Sequence, residues 1–289
     1  MKICAITMVY RDYWALSQWY AHYSRHLGSE NLFIVAHGHD PRISELCPRA
    51  SVITVPRDDL SGFDRMRGQL LNSIQDGLGV AYDWIIRTDT DELIYIDPAH
   101  HGSFDDLFSK QRSATALFAL GLNIAEVDGE PELNRGDAVM SKRQHAVFTG
   151  HYSKAWAVKR GVPLVRHGIE VASDKLLVAR LILPSGVYMA HLKYANLGAL
   201  ADVNIDRIKI ASGSARGLPG KAWSDAHQDG QKFYKRFAGL PDWDWDSALK
   251  VAFDEINDNP VRDKAQNVLR AKSVSFPFRT TLPEWFKYS

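Results

Sequence analysis

Over its first hundred residues the chain alternates short apolar runs with segments of helical periodicity. Few folds accommodate that alternation. The runs are "KICAITMVY" (2–10), "NLFIVAHG" (31–38), "SVITVPR" (51–57) and "DWIIRTD" (83–89). Between the first two lies "DYWALSQWYAHYSRHLG", with Tyr13, Trp14, Trp19, Tyr20, Tyr23 and Leu27 at helical spacing and Gly28 as a C-terminal stop. Between the last two lies "FDRMRGQLLNSIQDGLGVAY", closed by Gly77 and Gly79. Strands that alternate with helices predict a parallel sheet with helices on both faces. Only one helical turn, Arg42 to Leu46, fits after the second run. The middle reads differently: "ATALFALGLNIA", "HAVFTGHYSKAWAVKR" and "LILPSGVYMAHLKY" are strand-like with few helices between them, and predict mixed or antiparallel pairing that extends the same sheet. From Ala199 onward the signals are helical and polar, including "RDKAQNVLRAK" (262–272).

At 289 residues the chain is long enough for one large domain, or a domain with an appendage, and buries a core without covalent staples. A formal net charge of +1 excludes a nucleic-acid binder driven by bulk charge. Cys4 and Cys47 form no CxxC pair, so there is no zinc signature and no disulfide framework. A reducing compartment follows as the simplest reading. The longest uncharged stretch, Ser113 to Ala125, is too short to cross a bilayer. The expectation is a soluble cytoplasmic protein. The basic and aromatic "KFYKRF" (232–237) leaves peripheral membrane contact open against the alternative of one face of a packed helix.

The densest chemical signal is "IIRTDTDELIYI" (85–96), where an apolar run meets Asp89, Asp91 and Glu92 and apolar residues resume at once. On an extended chain Asp89 and Asp91 point the same way. Ionised neighbours of this kind repel, and a divalent cation relieves them. Hard oxygen ligands suit Mg²⁺ or Mn²⁺. Ligands of open α/β sheets bind beyond the carboxyl ends of the strands, which is where these acids fall. A solvated turn with a capping Asp is the bland alternative.

In "ITMVYRD" (6–12), "WYAHYSRHLGSENLFIV" (19–35), "DRMRGQLLNSIQ" (64–75) and "DWIIRTDTDELI" (83–94) the chain resembles GT-A-fold glycosyltransferases of the family 2-like kind, with an Asp-x-Asp-Glu motif. "SKAW" (153–156) and "HLKY" (191–194) are similar to later family elements. The resemblance covers residues 1 to 200. It implies an α/β, GT-A-like single domain with a mostly parallel central sheet flanked by helices, plus a helical C-terminal region. Residues 1–100 would form the nucleotide-sugar-binding half, 101–198 the acceptor-binding half and 199–289 a helical extension.

The resemblance also implies roles. Thr7, Tyr10, Arg11 and Asp12 would hold the base and ribose, with Arg11 and Asp12 otherwise simply starting the helix. Asp40 in "HGHDP" would contact the base or else make an ordinary turn. Arg65 and Arg67 lie near a helix N-terminus, and Arg65 is the one preferred to pair with a diphosphate there. Asp89 would contact the ribose and hold metal through water, Asp91 would bind the metal, and His191 would complete its coordination. Glu92 would be structural, paired with a basic neighbour. Lys154 and Trp156 would line the sugar and acceptor pocket. The reaction implied is metal-dependent transfer of a sugar from a nucleoside-diphosphate-sugar, UDP-linked by family resemblance, to a glycan or other hydroxyl acceptor in bacterial-type cell-surface glycan synthesis. The family's acidic residue before an Arg-Trp pair is missing. Glu170, Asp174 and Asp137 stand as candidate bases, and inversion against retention stays open. A nucleotidyltransferase, or a non-catalytic nucleotide-sugar-binding protein on the same fold, is the alternative. "MVYRDYW" offers no glycine-rich phosphate loop, which weighs against the first of these.

Overall fold

The structure, a computed structural model, describes residues 1–134, 136–219 and 221–289. β1 (Ile3–Val9), α1 (Tyr13–Leu27), β2 (Leu32–His37), α2 (Pro41–Leu46), β3 (Ser51–Val55), α3 (Phe63–Leu78) and β4 (Trp84–Arg87) follow the alternation read from the sequence. These strands pair in parallel in the order β3-β2-β1-β4. Their two faces bury different sets. Ala5, Ile34 and Ile86 pack with Trp19 and Tyr23 of α1, while Cys4, Ile6, Val35 and Ile85 pack with Leu71 of α3. The chain winds outward from β1 to β3 and then returns to β4 on the other side. The carboxyl ends of β1 and β4 therefore flank the switch point where open α/β sheets bind ligands.

The middle of the chain does not simply extend that sheet. β5 (Glu92–Ile96), α4 (Phe104–Lys110), β6 (Ala116–Phe118), β7 (Leu120–Ala125), β8 (His145–Phe148), β9 (Ala155–Val158), β10 (Leu164–Val165), β11 (Glu170–Ala172) and β12 (Val187–Tyr194) divide among three sheets. Antiparallel β9 and β6 add to the first sheet beside β4. β8, β7, β12 and β5 build a second, mixed sheet. The single central sheet of the sequence reading is thus corrected: the middle strands divide between it and further sheets, and the second of these shares one hydrophobic cluster with it and with α1. Residues 88–91 are the link between β4 of one and β5 of the other.

The C-terminal third is also less helical than its composition suggests. α5 (Leu197–Ala211), α6 (Lys221–Ser224), α7 (Ala226–Ala238) and α8 (Trp245–Asp258) are accompanied by β13 (Asp242–Trp243), β14 (Val261–Asp263), β15 (Val268–Arg270) and β16 (Arg279–Thr281). "RDKAQNVLRAK" forms the β14–β15 hairpin, turned through Asn267 at φ 56° and paired to β11. Helical propensity loses there to strand pairing and a left-handed turn residue. The aromatics of "KFYKRF" face inward: Phe233 stacks on Tyr194 at 3.6 Å, and Phe237 is buried. Among the described residues no helix is long and apolar enough to cross a membrane.

Two core residues lend themselves to direct tests. Gly121 in β7 is wedged against the 149–153 loop, where a Cβ would lie 2.4 Å from the carbonyl carbon of Tyr152 and 2.6 Å from the nitrogen of Ser153. Both neighbours are backbone, so they yield only by moving the loop. Gly121→Ala should destabilise by at least about 3 kcal/mol in denaturant unfolding. Gly68→Ala on α3, with nothing within 4 Å of the new methyl, should be neutral or slightly stabilising.

His22 sits on α1 with its Nε2 2.8 Å from the Ile94 carbonyl. The i,i+4 neighbour His26 stacks edge-on, with ring centres 4.8 Å apart, and that spacing is taken up by packing. Burial first, then the charges of His26 and Arg25, push His22 down to about 3. A histidine depressed in the fold is neutral there and charges in the unfolded chain. Its contribution is therefore intact above pH 6.5 and lost as pH falls toward 3, at about 1.4 kcal/mol per pH unit. Subtracting the stability-pH curve of His22→Gln, which can still donate to Ile94, should isolate that slope. Identical slopes in the two proteins would refute the assignment.

Candidate functional site

β4 ends at Arg87, and the chain then passes Thr88, Asp89, Thr90 and Asp91 before entering β5. Short contacts hold this stretch open. Glu92 Oε2 accepts from the Asp89 amide (2.9 Å), and the Asp91 carbonyl accepts from the Leu192 amide (2.7 Å). The pairing of His191 with Glu92 across β12 and β5 brings the imidazole to the same spot. Asp12 arrives from the end of β1, where it caps α1 through the Ala15 amide. Arg11 before it takes a left-handed backbone, φ 53°, so the chain turns sharply from β1 into α1 without a glycine.

These groups lie in a cleft of about 550 Å³. Asp89 is surrounded by cations: Arg67 Nη2 at 2.6 Å, His167 Nδ1 at 3.5 Å and Lys154 Nζ at 3.9 Å. Burial alone would raise the Asp89 carboxyl, but Arg67, Lys154 and His167 outweigh it and hold it well below the usual carboxylate range. The cations are themselves fixed. Lys154, with 2% of its side chain exposed, pairs with Glu92 at 2.7 Å and donates to the His167 carbonyl. His167 lies 3.2 Å from Asp64; burial and Arg67, which lies against the same ring, would lower its pKa, but Asp89 and that carboxylate raise it. Burial pushes Glu92 up to about 7 despite Lys154, helped by the charges of Asp89 and Asp91.

Asp91 differs. Its ion-pair neighbour is the His191 imidazole, Nε2 at 3.4 Å. Burial raises Asp91, but His191 reverses the shift and leaves it lowered. Burial lowers His191 in spite of Asp91, and its Nδ1 bonds Asn123. The pair is therefore an ionised carboxylate beside a neutral imidazole, a donor set suited to a divalent cation. Asp12 is pushed up to about 7, by burial and then by the charge of Asp91, with only Arg207 and the Ala15 amide opposing. The repulsion between Asp12 and Asp91, only partly offset by Arg207, is what a bound cation would relieve, so the chemistry of these residues fits Mg²⁺ or Mn²⁺. The expected set of Asp89, Asp91 and His191 is not assembled, however. Among the described residues no group of three or more His, Cys, Asp or Glu side chains is disposed to hold a metal. The reason is that Asp89 turns its oxygens to Arg67, His167 and Lys154.

Beside the cleft a smaller hollow of about 180 Å³ is lined by Tyr10, Arg11, Tyr13, His37 and Asp40. Tyr13 donates to Asp40 at 2.7 Å. At its border Arg57 stacks 3.5 Å from the centre of the Tyr10 ring, and its Nη1 lies 2.8 Å from Nδ1 of His37. Tyr10, Asp12, Asp89, Asp91, Lys154 and His191 thus border the cleft, and Arg11 and Asp40 the hollow. Other expected residues lie elsewhere. Thr7 is fully buried behind the site, and Trp156 is core, packed on Phe104 and Phe108. Arg65 is exposed and does not border the cleft. Arg67, which shares a helical face with Asp64 and buried Leu71, is the arginine that reaches Asp89. None of the three candidate bases borders the cleft. Glu170 is buried against Arg166 (3.2 Å) and Arg270 (3.9 Å), Asp137 pairs with Lys142 at 2.6 Å, and Asp174 is exposed.

The sequence reading preferred the wrong arginine of α3 and missed Arg57, His167, Lys193 and Arg207, all at the cleft. For His167 only the folded chain carries a signal. "RHG" precedes a short strand, and Arg166, His167 and Gly168 all take left-handed backbones, φ 48°, 58° and 88°. A Cβ on Gly168 would lie 2.7 Å from the Ala155 carbonyl, so the loop is pressed against β9, next to Lys154.

No protein-family model matches the sequence, and no curated protein does. Among solved structures the chain is similar to a 4-diphosphocytidyl-2C-methyl-D-erythritol synthase, at 14% identity and TM-score 0.38, covering 72% of this chain and 97% of that one. It is also similar to a mannose-1-phosphate geranyltransferase from Thermus thermophilus, at 11% identity and TM-score 0.28, covering 98% and 74%. A third is a CMP:2-keto-3-deoxy-manno-octonic acid synthetase in complex with CTP, at 14% identity and TM-score 0.28, covering 83% and 87%. The glycosyltransferase expectation is corrected on this finding. None of these structures bears a glycosyltransferase name, and nucleotidyl transfer, the alternative, accords better with them. The scores are too low to carry an argument about activity, which rests instead on the site.

Proposed function

We propose that the chain is a nucleotidyltransferase, joining a nucleoside monophosphoryl group from a nucleoside triphosphate to a phosphate-bearing acceptor. The observation that carries this reading is the grouping of Arg67, Lys154 and His167 around Asp89 in a cleft beyond the carboxyl ends of β1 and β4. Polyphosphate is the ligand class that such a cradle suits. In the reaction an acceptor phosphate oxygen attacks the α-phosphorus. The bond to the bridging oxygen breaks, and its electron pair leaves with pyrophosphate. The three cations stabilise that developing charge. When bound, a divalent cation held by Asp91 with His191 supplies Lewis-acid stabilisation at the phosphates. Tyr10, Arg57 and the hollow beside them accept the nucleoside. Arg11, in a left-handed backbone, makes the turn from β1 into α1 without a glycine. Residues 1–100 carry the nucleotide side and 101–198 the acceptor side. The described part of 199–289 adds Lys193's partner Asp229, Arg207 and Trp223 to the wall.

The test runs the reaction backwards. The protein is incubated with Mg²⁺, pyrophosphate and a panel of nucleotide-sugars and cytidylyl compounds, and nucleoside triphosphate is measured. Formation that depends on pyrophosphate supports the reading. Absence of turnover, together with no thermal shift from any nucleoside triphosphate, removes it.

A further inference from the structure

Asp89 and the three cations facing it satisfy one another. Arg67 lies 2.6 Å from one Asp89 oxygen, and His167 and Lys154 lie 3.5 Å and 3.9 Å from the other. Two of the cations are also anchored from behind, Lys154 by Glu92 at 2.7 Å and His167 by Asp64 at 3.2 Å. In this arrangement neither half is free for its ligand: Arg67 holds one Asp89 oxygen by a hydrogen bond, and Lys154 and His167 stand against the other. Asp91, by contrast, has the His191 imidazole as its near neighbour, at 3.4 Å, and no lysine or arginine ion pair is found for it among the described residues.

We propose that the site binds by ion-pair exchange: a diphosphate draws Arg67, Lys154 and His167 off Asp89, and only then does Asp89 join Asp91 in holding a divalent cation. The inference rests on the cation and polyphosphate reading above and adds an order to it. Asp91 with His191 gives a weak, ever-present metal position. Asp89 makes it strong, and only in the company of phosphate. Because the coupling is thermodynamic it is reciprocal, so the cation strengthens diphosphate binding by the same factor. The arrangement also keeps the free protein from holding metal tightly without substrate.

The probes are Mn²⁺ alone, followed by its spin-resonance signal, and inorganic pyrophosphate in excess chelator, followed by calorimetry. In the native protein Mn²⁺ alone should bind weakly. Arg67→Gln releases an Asp89 oxygen, so it should tighten Mn²⁺ at least about tenfold while weakening metal-free pyrophosphate by a similar factor. His167→Gln should move both quantities the same way by less, and serves if Arg67→Gln does not fold. Unchanged or weaker Mn²⁺ binding in both variants, with tight binding in the native protein, overturns the exchange and leaves the cation reading standing. If Mn²⁺ binds no variant, even with pyrophosphate present, the cation reading fails and the exchange with it.

Discussion

Asp91→Ala is expected to lower nucleotidyl turnover by at least about a hundredfold and to erase any gain in nucleotide affinity on adding Mg²⁺ or Mn²⁺. The reasoning is local. Asp91 lies at the crossing from β4 to β5, its backbone is fixed by Leu192, and its carboxylate meets one neutral imidazole. It is less committed to protein cations than its neighbours in the motif, since Asp89 has three and Glu92 has Lys154. Removing it leaves the cradle of Arg67, Lys154 and His167 in place. Metal-free binding of a nucleoside triphosphate should therefore stay within about twofold of the native value, by calorimetry in chelator. A variant that loses both kinds of binding together, with its fold intact by circular dichroism, would assign Asp91 to the nucleotide rather than to a cation.

Lys154→Met should be the most destabilising of the charge changes at the site. Lys154 and Glu92 are 2% and 1% exposed and pair at 2.7 Å. Removing one partner strands the other, at a cost of about 3–5 kcal/mol. The cost depends on pH in a defined direction. Burial raises Glu92 to about 7 in the fold, above its ordinary 4.5. A carboxyl raised in this way favours the fold fully below 4.5 and loses that contribution as pH climbs through 7. Without Lys154 its proton is held more firmly still, so the variant should be weakest near pH 8 and recover toward pH 5. Lys154→Met combined with Glu92→Gln should regain much of the loss at pH 8, since neither group is then left charged. Unfolding by urea at the two pH values reads both effects, and a pH-independent loss would point to packing instead.

The parallel half of the fold was legible because its signals are local. Trp84-Ile85-Ile86 reads as a buried strand, and Trp19 and Tyr23 lie on the face of α1 that covers it. The placing of Asp89 and Asp91 just past β4, where they line the cleft, was legible from their spacing too. What escaped was set by contacts distant in sequence. Arg67 reaches Asp89 across 22 residues, and His167 reaches it from the far side of β9. Nothing in "RHGIE" or "DRMRG" alone distinguishes His167 as a ligand or Arg67 from Arg65. The candidate bases failed similarly. Glu170 is spent on Arg166 and on Arg270, which comes from a C-terminal hairpin whose composition reads as helix. The second sheet was hidden because β5 and β12 read equally well as members of one sheet or two.

The acid stretch also rivets two layers together. Residues 88–91 leave the interior of one sheet at β4 and enter an edge strand of the other at β5, whose neighbour β12 supplies His191. A shift of one sheet relative to the other has to be taken up within this short link, where Asp89 and Asp91 sit. Tyr95 on Phe286 and Tyr188 on Trp245 pack the second sheet away from the cleft. Substitutions at those rings should alter any preference for Mg²⁺ over the larger Mn²⁺ without changing an acid of the cleft.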